Sequence, residues 1–185
     1  MEPPGALVRD LSGADRTQRD PRPGDDRQHA HQGAPLSRRR KRGAYLQALG
    51  HSRGGKTSKL HALSDEHGRP RVLLLTAGNI NDISVARALL KAAGPVRGLI
   101  ADRGYDANHL RRYLSELDAE VVIPSTTSRR HPIPYDRAAY KDRNRIERMW
   151  CRLKDWRRIA TRYDKLARNY LSGAYLAALL TCWPN

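Results

Sequence analysis

The spacing of apolar positions changes character at residue 44. Before it the large apolar residues are Met1, Leu7, Val8, Leu11 and Leu36, scattered among prolines, glycines and mixed charges. Such a stretch buries too little surface to offset its ordering entropy. Residues 1–43 are therefore expected to be a disordered basic segment, rich in Pro and Gly and closing on the run RRRKR at 38–42. Residues 44–185 read as a folded domain. Residues 59–64 alternate as in a strand, Gly68, Arg69 and Pro70 form a turn, and the run RVLLLT at 71–76 suits a buried strand paired with the first as a hairpin. Ile83, Ala86, Leu89 and Leu90 have helical spacing within 82–93, and Gly94 and Pro95 end that helix. A short buried strand at 99–101, a helix at 108–117 and a strand at 120–123 follow, then a polar basic loop at 124–134. The pattern from 135 to 159 is a long helix broken once. The last helix, 169–183, is expected to pack Tyr170, Leu171, Leu176 and Leu179 in the core. The order β, β, α, β, α, β, α, α is that of an α/β layer fold.

Charge sharpens this picture. Against 19 Asp and Glu the 185 residues carry 35 Lys and Arg, a net charge of +16. Residues 129–168 alone hold 14 Lys and Arg against five Asp and Glu, so more than half of the excess surrounds the long helix. A chain so positive is drawn to polyanions, nucleic acid first. No apolar run is long enough for a membrane helix; the longest, 174–180, is far short of one. The two cysteines, Cys151 and Cys182, make no disulfide framework, so a cytoplasmic location is expected. The seven histidines have no metal-ligand spacing with either cysteine and read as scattered side chains.

Two carboxylates stand out by position. Asp102 follows the apolar strand 99–101, where crevices open in α/β sheets, and Gly104 lets the chain turn away. A helix cap is its other reading. On the long helix, at about 100° per residue, Tyr140, Arg143 and Lys154 fall within roughly 40° of Glu147 and form one polar stripe. Ile146, Trp150, Leu153 and Trp156 form an adjacent stripe expected to face the core, and Arg145, Arg148 and Arg152 make a basic ridge. An ordinary Arg143–Glu147 ion pair on a surface helix is the simpler reading of the polar stripe. The chemistry that could join two such carboxylates is binding of a divalent cation.

The spacing Tyr140, Arg143, Glu147, Lys154 resembles the Y-R-E-K signature of insertion-sequence transposases with a DDE nuclease domain, most of all the insertion sequence 5 group. The resemblance runs from about residue 45 to 183 through the blocks SRGGKTSKLHAL, TAGNINDI, IADRGYD, VIPSTTSRR and RIATRYDKLARNYL. It implies an RNase H-like mixed sheet flanked by helices. It also implies cleavage and strand transfer at transposon ends with Mg²⁺ or Mn²⁺, with DNA as the partner and a homodimer in the transposition complex, acting at the bacterial nucleoid. Asp102 resembles the second acidic metal ligand and Glu147 the third. Tyr140, Arg143 and Lys154 resemble the residues that support the glutamate or touch DNA. The charge pattern adds Lys56, Arg129, Arg130, Arg148 and Arg152 as DNA-backbone contacts.

The family's first Asp ends a central first strand. Here Asp25 and Asp26 lie near the corresponding place, followed by Ala30 and His31, but Pro21, Pro23 and Gly24 forbid a buried strand before them. The first central strand is therefore expected to be missing, as in a truncated or frameshifted chain, and the catalytic domain to be incomplete and inactive. The alternative is a non-catalytic basic protein that binds DNA or RNA.

Overall fold

The computed structural model describes residues 6–11, 47–52 and 55–183. In chain order the strands and helices are β1 (Ala6–Leu11), β2 (Gly50–Ser52), β3 (Gly55–Ser64), β4 (Pro70–Ala77), α1 (Asp82–Ala93), β5 (Gly98–Ala101), α2 (Asn108–Glu116), β6 (Glu120–Val122), α3 (Arg137–Tyr140), α4 (Asn144–Asp155), α5 (Arg157–Ala160) and α6 (Ala167–Cys182). Short 3-10 turns, Arg103–Tyr105 and Lys141–Arg143, follow β5 and α3.

The sheet is mixed. β4 pairs antiparallel with β3, β3 with β1, and β1 runs parallel to β5, which runs parallel to β6; β2 adds a short ladder to the start of β3. The central strand is present after all, which corrects the expectation that it would be missing. β1 lies between β3 and β5, with Leu7 opposite Ser64 on one side and Ile100 on the other. It falls inside the segment expected to be disordered. Its sequence, ALVRDL, is short and carries two charges, so it lacks the continuous apolar run by which a central strand is recognised. Asp25 and Asp26 lie outside the described residues.

Each face of the sheet carries a layer of helices, because each strand alternates its apolar residues between two cores. On one face Leu63, Leu99 and Ala101 pack with Val85, Ala86, Leu89 and Leu90 of α1 and Leu110 and Leu114 of α2. On the other, Leu60, Ala62, Leu73 and Ile100 pack with Ile146, Met149, Trp150 and Leu153 of α4 and with α6. Two sequence expectations fail on this second face. Trp156 is 40% exposed, because α4 ends there on extended backbone (φ −78°, ψ 103°), and Met149 fills the core stripe instead. In α6, Leu176 and Leu179 face outward, each 58% exposed, while Ala174, Ala177, Ala178 and Cys182 face the sheet with Tyr170. Small residues let this helix lie close over β4, and the Tyr175 hydroxyl donates to the Leu73 carbonyl (2.9 Å) and accepts from the Leu73 N–H (3.1 Å). β4 bonds to no strand but β3 among the described residues, so this hydroxyl satisfies backbone groups on the strand's outer edge.

Candidate functional site

Asp102 takes the first position after β5. Its backbone is extended (φ −76°, ψ 172°), which carries the strand alternation one step further, to the side of Ile100 and α4. Its Oδ1 accepts the N–H of Gly104 at 2.7 Å, capping the 3-10 turn, so the capping reading of this residue holds. A Cβ on Gly104 would stand 2.9 Å from that oxygen, so a larger residue there would have to shift the Asp102 carboxylate.

The other three signature residues follow from the break in the long helical pattern. Asp136 caps α3 by accepting from the N–H groups of Ala138 and Ala139, and the Lys141–Arg143 turn leads directly into α4. α3 and this turn pack against β5. Tyr140 stacks edge-on with Tyr135 at 5.4 Å between ring centres, and the Arg143 guanidinium lies 5.6 Å from the Tyr140 ring. Arg143 pairs with Glu147 at 2.8 Å, with both side chains about a third exposed or less. Burial pushes the Tyr140 phenol up; Arg143 pulls it down, and the nearby Asp102 carboxylate pushes it up again. Asp102, Tyr140, Arg143 and Glu147 thus share one half-buried neighbourhood at the end of β5. Lys154 stands on the same stripe but is exposed, two turns or about 10 Å further along α4.

The remaining cations are dispersed. Lys56 is exposed near the start of β3, beside a cavity of about 250 Å³ that Arg162 also lines. Arg148 and Arg152 are exposed on another flank of α4, and Arg130 is exposed on the loop before α3. Arg129 is already committed: its guanidinium grips Asp106 with two bonds of 2.9 Å, and Arg111 adds a third at 2.7 Å. Burial pushes the Asp106 carboxyl up, but the bonds from Arg129, the Thr126 N–H and Arg111 outweigh it and hold the group well below the usual carboxylate range. Sequence reasoning missed this buried carboxylate, although its place in the IADRGYD block next to the strand end was a signal. It missed Arg162 as well. That side chain bonds the Ser58 hydroxyl, lies 5.3 Å from the Tyr170 ring, and is pushed down by burial. Arg158 holds Asp164 through bonds of 2.9 and 2.7 Å. The RIATRYDK block is therefore a structural lock between the end of α5 and β3.

Comparison with known proteins fixes the family. The sequence pattern of the family described as "Transposase DDE domain" matches residues 28–182. The chain belongs to the transposase DDE domain family. A protein of Brucella ovis described as a transposase for insertion sequence element IS6501 is 36% identical over 125 residues, covering 67% of this chain and 96% of that protein. A protein of Burkholderia cepacia described as a transposase for IS402 is 31% identical over 137 residues, covering 68% of this chain and 63% of that protein. No solved structure matches. The family match begins at residue 28, beyond β1.

Transposase DDE domains generally depend on a metal ion. The described residues fit one poorly. Among the described residues no group of three or more His, Cys, Asp or Glu side chains could hold a metal. Asp102 and Glu147 supply two carboxylates at most, and each is engaged, with the Gly104 N–H and with Arg143. β1 pairs Val8 with Ala101, the residue before Asp102, on the adjacent parallel strand. Across the other ladder Arg9 pairs with Ala62. Asp10 is one step further on, in register with His61.

Proposed function

We propose that this chain is a transposase-type domain that holds insertion-sequence DNA without cutting it. Cleavage and strand transfer at transposon ends is the chemistry of the resemblance, and Asp102, Glu147, Tyr140, Arg143 and Lys154 are the residues it would use. The observation that supports the reading of incompleteness is that Asp102 and Glu147 are engaged by the Gly104 N–H and by Arg143, with no group of three or more His, Cys, Asp or Glu among the described residues that could hold a metal. The net charge of +16 and the exposed Arg130, Arg148, Arg152, Lys154 and Lys56 support binding of a phosphate backbone.

Titration with Mn²⁺ alone, followed by electron paramagnetic resonance, tests the incompleteness. The wild-type chain is expected to show no saturable binding that depends on Asp102. Saturable binding by the wild type, lost in Asp102→Asn, would overturn the reading.

A further inference from the structure

The helix that carries Glu147 has a second charged flank. At about 100° per residue, Arg148 stands roughly 100° from Glu147 around α4, Arg152 roughly 140° and Arg145 roughly 160°. These arginines, with Met149 as floor, form one wall of a groove of about 300 Å³, and the β3–β4 turn at His67 and Gly68 forms the other.

That second wall is firmly built. Asp65 is buried and its carboxylate accepts from the N–H groups of His67 (3.0 Å) and Arg69 (2.8 Å) and from the Arg69 side chain (2.8 Å). Gly68 has φ +75°, and a Cβ there would approach the Arg145 carbonyl oxygen to 3.0 Å, so the turn sits directly on α4. Arg145 fastens the two together by donating to the Glu66 carbonyl, and its charge is offset by Asp142 at 3.1 Å. The other nearby carboxylate, Glu66, faces His67 at 3.8 Å. Arg148 and Arg152 have neither a hydrogen bond nor an ion pair among the described residues. Two uncompensated guanidinium groups one helical turn apart, held against a rigid turn, match an anionic backbone that presents repeated oxygens.

We propose that this groove seats the phosphate backbone of duplex DNA, as a contact separate from the neighbourhood of Asp102 and Glu147. The proposal rests on the DNA-binding reading above. It adds that one helix engages DNA on two flanks, so that a backbone held at Arg148 and Arg152 need not be the one lying at Glu147.

The experiment is binding of the full chain to fluorescently labelled duplex DNA across a salt series. Each lost phosphate contact lowers the slope of log K against log salt by about 0.9. Arg148→Ala/Arg152→Ala should lower the slope by roughly 2, and Arg148→Lys/Arg152→Lys should retain it, which separates charge from misfolding. The loss should be the same size in a Glu147→Gln background, because the two flanks act independently. An unchanged slope in the alanine variant, or a loss that vanishes in the Glu147→Gln background, overturns the groove alone. Failure of the wild-type chain to bind DNA at all overturns the underlying reading, and the groove with it.

Discussion

His61 shows how one side chain records the cost of its place. It is fully buried in β3, bonded through Nε2 to the Thr76 hydroxyl at 2.7 Å, and its Nδ1 has no partner among the described residues. Burial lowers its pKa from 6.5 to about 4, with Asp82 pulling it up and Lys59 pushing it down. The folded pKa lies below the unfolded one, so between pH 6.5 and about 4 the unfolded chain binds more protons. The stability tied to neutral His61 is complete above pH 6.5 and is lost as pH falls towards 4. At 1.36 kcal/mol per pKa unit the loss is about 3 kcal/mol. Urea unfolding followed across this range should show it, and His61→Gln should flatten that part of the curve. A wild-type profile equally flat over the window would contradict the assignment. The histidines read from sequence as a scattered surface set, and His61 was not legible among them, because its burial comes from the ladders on both sides of β3.

Among the elements, what could be read depended on whether one apolar stripe dominated. α1, α2, β4 and β5 each have one clear pattern, and the structure holds them near the expected residues. α6 has large and small apolar residues on adjoining stripes, so periodicity gave a helix without saying which stripe faces in; close approach to β4 selects the alanines. β1 failed for the opposite reason, since its strand character comes from two neighbours rather than from its own six residues. The candidate site was partly legible for similar reasons. Tyr140, Arg143 and Glu147 lie along one connected stretch of chain, so their spacing carries over to space. Arg129, Asp106 and Arg111 meet through tertiary contacts that spacing does not reveal. This cluster fastens the loop after β6 to the start of α2: the Asp106 side chain is inaccessible, and Arg111 also donates to the Ile123 carbonyl at 2.7 Å. Removing its central anion strands two arginines, so Asp106→Ala should cost roughly 3–5 kcal/mol by denaturant unfolding. A loss below about 1 kcal/mol, the size of a surface pair, would show that the cluster is not a tertiary anchor.

For the molecule as a whole, sheet order and charge fit one behaviour. The sheet sets β5, which leads into Asp102, beside β1, and α4 brings Glu147 to the same side with an excess of positive charge around it. On the proposed reading the exposed arginines and lysines hold DNA, and the two engaged carboxylates do not cut it. No helix among the described residues is long and apolar enough to cross a membrane. The most direct test is incubation of the purified chain with supercoiled plasmid carrying the insertion-sequence ends, with Mg²⁺ or Mn²⁺, under salt at which binding is saturated. The bound plasmid is expected to remain supercoiled. Metal-dependent conversion to open circles by the wild-type chain, abolished by Asp102→Ala or Glu147→Ala, would contradict it.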